Sequence, residues 1–234
     1  MNWDKVWTPL NLERLLVGDL FTQGQLGGLL LTLAIAAIAI VGATLIGMLV
    51  GVARASERAA LRTPALLYIQ AFRNIPLVIL VFWAYFVPPY FGFETSRFLS
   101  VAVALTLFTA AYIAEYIRGG ILSVPETQKE AARTLGLSRL QVQLYVMLPQ
   151  AFFNMIPAIT GRYIVTVMNT SLAFLIGLSE LTDIGKQINV RLQTSPIEVY
   201  LTIMLIYFVV NRALSAGMRL LENRPRFNRL FVRI

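Results

Sequence analysis

The 234-residue chain contains no cysteine and no histidine, and only 14% of its residues are charged. The missing cysteines exclude disulfides and thiol catalysis, and both absences together exclude the ligands that most zinc sites use. No Gly-x-x-x-x-Gly-Lys-Ser/Thr sequence occurs, so the chain offers no P-loop for a nucleotide. We therefore expect no metal site, no cofactor and no catalytic residues in this chain.

Long apolar runs make up much of what is present. The chain is 57% hydrophobic, and its mean hydropathy is +0.69. The hydrocarbon core of a bilayer is about 30 Å thick, and runs long enough to cross it recur along the chain. We predict an all-α integral membrane protein, with residues 1–234 forming a single transmembrane domain. Its five predicted spans are residues 24–53, 65–88, 98–121, 152–177 and 197–218.

Lysine and arginine are distributed unevenly between the two sides of these spans. Thirteen of them lie in residues 54–64, 118–150 and the tail from residue 212, against five in the segments on the opposite side. The positive-inside rule then puts the C-terminus in the cytoplasm and the N-terminus outside. This bias also accounts for the net charge of +8, so we expect no nucleic-acid partner.

The polar segment between the third and fourth predicted spans, residues 123–150, carries helix-capping patterns. Ser123 with Glu126 and Ser138 with Gln141 both have the capping-box spacing, in which each side chain accepts from the other residue's backbone amide. Gly136 lies between them, where a helix needs a left-handed stop. The segment therefore predicts two short helices outside the membrane.

A second pattern overlaps these caps. Glu-Ala-Ala at 130–132 is followed by three residues, Gly136, nine residues, Val146, one residue and then Leu-Pro. This spacing resembles the EAA loop of bacterial ABC-importer permeases, which is cytoplasmic and docks a short coupling helix on the ATPase subunit. The resemblance implies that ATP and Mg²⁺ are bound by a partner subunit. It also implies that six residues couple this chain to that partner: Glu130, Ala131, Ala132, Gly136, Leu148 and Pro149.

Two ionisable residues fall inside predicted spans, where a charge costs several kcal/mol unless it faces a cavity or a partner. One is Glu115, in the string Ala-Ala-Tyr-Ile-Ala-Glu-Tyr-Ile-Arg-Gly-Gly-Ile at 110–121. This string resembles the third span of the polar amino-acid uptake subfamily, in which this glutamate is implicated in substrate binding. The alternative is an ion pair with Arg118, one turn further along the helix.

The other is Arg162. Together with Thr166, Asn169 and Ala173 it follows the spacing i, i+4, i+7, i+11, which predicts one polar helix face. The alternative for Arg162 is that its long side chain reaches the cytoplasmic headgroups.

The string at 168–181, which contains Asn169 and Ser171, again resembles the polar amino-acid subfamily. Asn169 falls on its Asp/Asn position and Ser171 on its Ser position. Met168 replaces the usual lysine, and Gly161-Arg162 replaces the usual Asn-Glu pair. A cation in place of an acid favours substrates with acidic or neutral side chains, because a guanidinium binds a carboxylate with two hydrogen bonds.

Three further features have open interpretations. The Arg73-Asn74-Ile75-Pro76 string resembles the start of the subfamily's second span, and we expect Arg73 to lie in the headgroup layer. Gly47 and Gly51 have the spacing of close helix contacts, and we expect packing within the subunit rather than a dimer seam. The outer loop 178–196 either contacts an external binding protein or is a solvated connection.

The resemblance, from about residue 24 to 220, implies the type I ABC importer permease fold and transport of polar amino acids by alternating access. It implies a bacterial inner membrane location and three kinds of partner beside lipid. These are a second permease subunit, identical or paralogous, a dimer of ATP-binding subunits, and a periplasmic or extracellular amino-acid-binding protein. The alternative substrates are basic or sulfur-containing amino acids. The alternatives outside transport are an intramembrane enzyme and a membrane scaffold.

Overall fold

The computed structural model describes residues 2–20, 24–138, 141–193 and 195–222, with side chains described up to residue 220. Almost all of them are helical. Short elements come first: α1 Trp3–Val6, α2 Pro9–Val17, and an antiparallel pair of strands, β1 Gly18–Asp19 and β2 Gln25–Leu26. The remaining helices are α3 Gly28–Ala55, α4 Ala59–Asn74, α5 Leu77–Phe86, a 3₁₀ turn Pro88–Phe91, α6 Arg97–Leu122, α7 Glu126–Thr134, a π-helix Val142–Met147, α8 Leu148–Asn169, a 3₁₀ segment Thr170–Ile176, α9 Leu181–Leu192 and α10 Pro196–Glu222.

Within the described residues, four helical segments are each long and apolar enough to cross a membrane. They are Gly28–Ala55, Arg97–Leu122, Val142–Ile176 and Pro196–Leu220. The pair Ala59–Asn74 and Leu77–Phe91 meets the same criterion only when taken together, which gives up to five spans. The predicted all-α membrane fold with about five spans is therefore confirmed.

The second predicted span, residues 65–88, is wrong as a continuous helix, because the chain breaks between Asn74 and Leu77. Pro76 has extended backbone angles, φ −58° and ψ 134°, and it is the N-cap of α5. Proline disfavours a helical conformation at the residue before it, here Ile75, and it brings no amide donor. The sequence Ile-Pro therefore ends one helix and begins the next.

The described residues form two compact units, each assembled from separate parts of the chain. The first takes its residues from 1–41, 75–106 and 164–213, and the second from 42–74, 107–163 and 214–234. The core of the first joins α1 and α2 to α9 and α10 through Val6, Leu15, Leu181, Ile184, Ile188, Val199 and Ile203. The core of the second joins α3, α6 and α8 through Ala43, Ala110, Ile113, Ile117, Met155 and Ile159.

The two glycines of the first span pack inside the subunit, as predicted. A Cβ added at Gly47 would lie 2.7 Å from Cγ2 of Ile113, and one at Gly51 would lie 2.8 Å from the carbonyl oxygen of Ala114. Both contacts are closer than real Cβ atoms tolerate, so α3 approaches α6 only because these positions lack side chains.

Candidate coupling and substrate sites

Four of the six predicted coupling residues lie on α7 and the turn that ends it. Glu130 and Ala131 are exposed, whereas Ala132 is buried. Gly136 follows the helix with φ +86°, and its amide donates to the Arg133 carbonyl at 2.9 Å, while the Leu137 amide donates to the Ala132 carbonyl at 3.2 Å. This pair of bonds is a Schellman motif, and it confirms the left-handed stop at Gly136.

Of the two predicted capping boxes, the second is confirmed. The Ser138 amide donates to Oε1 of Gln141 at 2.8 Å, and the Gln141 amide donates to Oγ of Ser138 at 3.3 Å. The helix that follows is not a separate short one, however. It continues as a π-helix, Val142–Met147, into α8, so Leu148 and Pro149 lie in the first turn of α8. Proline has no amide to donate within a helix, and the residues just before Pro149 form a π-helix rather than an α-helix.

The first capping box, Ser123 with Glu126, is wrong. The Ser123 hydroxyl donates to the Gly120 carbonyl at 2.7 Å and accepts from Nδ2 of Asn154 at 2.8 Å. Pro125 occupies the N-cap of α7, and it cannot accept a side-chain hydrogen bond in the way serine does. Glu126 instead accepts from Lys129 at 2.8 Å, and this hydrogen bond lowers the pKa of the exposed Glu126 carboxyl.

Glu115 lies in α6 beside two arginines. Its Oε2 accepts from Nη2 of Arg118 at 2.9 Å and from Nε at 3.0 Å. Its Oε1 is 4.0 Å from Nε of Arg54 on α3. The ion pair that was the alternative interpretation is therefore present in this structure. The role of Glu115 in binding a substrate stays a prediction.

Arg162 lies in the second unit and is only 7% exposed. Its guanidinium carbon is 3.8 Å from the ring centroid of Tyr112 and 4.9 Å from that of Phe108, two aromatic residues one turn apart on α6. Both are cation–π distances, and this stacking holds the guanidinium against α6. These two rings were not predicted as neighbours of Arg162. The i, i+4 spacing of the two rings can be read from the sequence, but the sequence does not show that they face α8.

Arg73, at the end of α4, contacts the same ring. Its guanidinium carbon is 5.1 Å from the Tyr112 centroid, although Arg73 itself is exposed. The side chain is thus directed to an aromatic residue of the second unit, in addition to any contact with headgroups.

The other candidate substrate residues belong to the first unit. Thr166 is fully buried and Asn169 is half-buried, and both follow Arg162 in the regular part of α8, so these three share one helix face. The placement of Ala173 on that face is wrong, because α8 ends at Asn169 and a 3₁₀ segment follows. A 3₁₀-helix has three residues per turn, so the α-helical spacing does not extend to Ala173. Ser171 lies half-buried in the same segment.

Glu180 is a fully buried acid in the segment 178–196, for which contact with a binding protein and a solvated connection were both open. It is the N-cap of α9, where Oε1 accepts from the Asp183 amide at 3.0 Å. Its Oε2 accepts from the Tyr207 hydroxyl at 3.1 Å and lies 3.4 Å from Oγ1 of Thr32. Burial raises the pKa of Glu180 to about 7. The alternative of a solvated connection at 178–196 is therefore wrong, because this segment contains a helix with a buried face.

The fold and the EAA-like turn define a class of transport protein. The chain belongs to the family of binding-protein-dependent transport system inner membrane components, whose model matches residues 43–227. It is an ABC-type permease, which is a transport subunit.

Individual relatives agree with this family. The chain is 34% identical to the probable glutamine ABC transporter permease protein GlnP of Bacillus subtilis, over 84% of this chain and 91% of that protein. It is 34% identical to the glutamate/aspartate import permease protein GltK of Escherichia coli O157:H7, over 85% of this chain and 92% of that protein. A crystal structure of an amino acid ABC transporter with histidines matches with a TM-score of 0.78 and 31% identity, over 84% of this chain and 92% of that one.

Proposed function

We propose that this chain is the transmembrane subunit of an ABC importer for polar amino acids, and that its substrates are acidic amino acids and their amides. The observation that carries the substrate class is the buried guanidinium of Arg162 in α8. The names of GlnP and GltK, for glutamine and for glutamate and aspartate, support the same class.

The charge of Arg162 discriminates between side chains of the substrate. A lysine or arginine side chain brought within 4 Å of it would meet a repulsion of about 4 kcal/mol at an effective dielectric constant of 20. A carboxylate at the same distance would gain a comparable attraction, and a charge-assisted hydrogen bond is worth about 1.5–3 kcal/mol net. Thr166 and Asn169, on the same helix face, supply neutral hydrogen-bonding groups for an amide. The face therefore suits glutamate, aspartate, glutamine and asparagine.

The transport cycle requires partners. Because this chain has no P-loop, a dimer of partner ATPase subunits binds ATP and Mg²⁺ and hydrolyses the ATP. These subunits dock on α7 and its terminal turn. About five spans are too few to enclose a pathway, so a second permease, identical or paralogous, completes it. An external binding protein delivers the amino acid. The positive-inside rule supports a cytoplasmic C-terminus and an outer N-terminus in a bacterial inner membrane.

The test is uptake of labelled glutamate and glutamine by cells that carry the complete importer, with each unlabelled amino acid in excess. We expect inhibition by glutamate, aspartate, glutamine and asparagine. Arg162→Gln should reduce glutamate uptake more than glutamine uptake, because only the acid loses an ionic partner. Arg58→Gln, which removes an exposed arginine between α3 and α4, is the matched control and should leave both unchanged.

A basic amino acid is the second candidate substrate, and one observation favours it. Glu115 offers a carboxylate inside a membrane span, and the solved relative is described with histidines. The competition experiment separates the two candidates. Inhibition by arginine, lysine or histidine, with none by the acids and amides, would exclude the acidic and amide assignment.

A further inference from the structure

Tyr112 brings two arginines of the second unit together. Arg162 on α8 and Arg73 on α4 lie 3.8 and 5.1 Å from the centroid of its ring, so their guanidinium carbons are within about 9 Å of each other. Arg162 is the buried member of this cluster and Arg73 is the exposed one. We call these three residues the Tyr112 cluster.

Two cations at this distance repel each other, and the aromatic ring between them attracts each of them but carries no net negative charge. The repulsion is screened weakly on the side of Arg162, because this guanidinium is withdrawn from solvent. An anion bound near both arginines would relieve the repulsion and gain attraction from each. Because Arg73 is exposed, such an anion has a route to the cluster.

We propose that Arg73 and Arg162, held together by Tyr112, form a subsite for a ligand with two carboxylates, so that acidic amino acids bind more tightly than their amides. The inference rests on the proposed function, because it takes an amino acid as the ligand. Glutamate and aspartate carry an α-carboxylate and a side-chain carboxylate, one for each guanidinium. Glutamine and asparagine carry one carboxylate, so they offer no ionic contact to the second arginine. Arg73 is thereby assigned a role in specificity.

The test is direct binding of L-glutamate and L-glutamine to the purified complex of permease and ATPase, measured by calorimetric titration without the external binding protein. Omitting that protein removes the filter it imposes before substrates reach the membrane. We expect wild type to bind glutamate about tenfold more tightly than glutamine, since a charge-assisted contact contributes about one such factor. Arg73→Gln should remove most of this preference, because it should lower the affinity for glutamate about tenfold and the affinity for glutamine by much less.

The ring is tested separately from the charges. Tyr112→Phe keeps the stacking face and should retain the preference for glutamate, whereas Tyr112→Leu frees both guanidiniums and should lose it. Arg73→Lys keeps the charge and should recover part of the glutamate affinity. Phe72→Leu is the matched control, because Phe72 is a half-buried ring of the same unit that packs on Tyr68. It should leave the preference unchanged.

The ratio of the two affinities decides the outcome, because a purely structural defect weakens both ligands alike. Equal losses for glutamate and glutamine in Arg73→Gln and Tyr112→Leu would overturn the two-carboxylate subsite. So would a wild-type complex that binds glutamine as tightly as glutamate, even though the proposed function would then survive. A complex that binds arginine, lysine or histidine and neither glutamate nor glutamine would overturn the proposed function itself.

Discussion

The turn after α7 offers a substitution whose effect comes almost entirely from the backbone. Gly136 has φ +86°, and a Cβ added there would have no atom within 4 Å. The Cβ of a larger side chain therefore lies in open space. The cost comes instead from the left-handed backbone conformation, which is strongly unfavourable for L-residues with a branched Cβ. Gly136→Val isolates that cost, and Gly136→Asn is its control, because asparagine tolerates this conformation.

The expected magnitude follows from the conformation. A bulky non-glycine residue held in a disfavoured backbone region costs about 1–3 kcal/mol. Taking about 2 kcal/mol for valine, the ratio of the Schellman turn to its alternatives falls roughly thirtyfold, because 1.4 kcal/mol corresponds to a factor of ten. The substitution to asparagine should cost less free energy, so the population of the Schellman turn in Gly136→Asn should lie between those of wild type and Gly136→Val. The two hydrogen bonds that end α7 would then form in a smaller fraction of the molecules of the valine variant.

The assay is ATP hydrolysis by the purified complex, with and without the amino-acid-loaded binding protein, together with recovery of the ATPase subunit on a tagged permease. We expect Gly136→Val to insert in the membrane and to lose stimulation or recovery, with Gly136→Asn affected less. Glu130→Arg, which reverses an exposed charge on α7, should have a similar effect without altering the turn. If the valine and asparagine variants are both stimulated as strongly as wild type, the turn at Gly136 is not needed for coupling.

Three more predictions follow from buried or paired groups. Because the pKa of Glu180 rises from 4.5 in the unfolded chain to about 7 in the fold, its contribution to stability is greatest below pH 4.5 and is lost as the pH rises through 7. In thermal unfolding experiments in detergent, we therefore expect the free energy of unfolding of the wild type to fall by up to about 3 kcal/mol between pH 5 and 8. That of Glu180→Gln should fall less. Parallel pH profiles of the two proteins would contradict this. In the same assay, Gly51→Ala should lower the free energy of unfolding by about 1–3 kcal/mol, because its Cβ overpacks against α6. Gly119→Ala is the control. Its Cβ has no atom within 4 Å, so this substitution should be neutral or stabilising. Glu115→Gln should lower transport without affecting assembly if the carboxylate receives the substrate ammonium; loss of assembly would instead identify the pair with Arg118 as structural.

The features predicted correctly from the sequence depend on residues close together in the chain. The positive φ of Gly136, the capping box at Ser138 and the ion pair of Glu115 with Arg118 each involve fewer than six consecutive residues. The spans likewise follow from continuous apolar runs. In each case, local periodicity or a backbone preference determines the structure, so no knowledge of the tertiary fold was needed.

The features that were missed depend on contacts between distant segments. The stacking of Arg162 on Tyr112 joins α8 to α6, and no pattern within either helix specifies the other. The burial of Glu180 was not predicted, because the sequence does not reveal that Thr32 and Tyr207 cover it. The capping box at Ser123 fails for a local reason, because Pro125 occupies the N-cap position.

The family match begins at residue 43, but residues before this position are also part of the folded core. Val6 and Leu15 are buried among the residues of α9 and α10, the indole nitrogen of Trp7 donates to Thr202 at 3.0 Å, and Arg14 donates to Gln187 at 2.7 Å. The two short helices α1 and α2 thus cover an apolar surface formed by α9 and α10. A fragment trimmed to the family boundary would expose that surface and be prone to aggregation. For expression and reconstitution, α1 and α2 therefore have to be kept with this permease, although they lie outside the region that the family model matches.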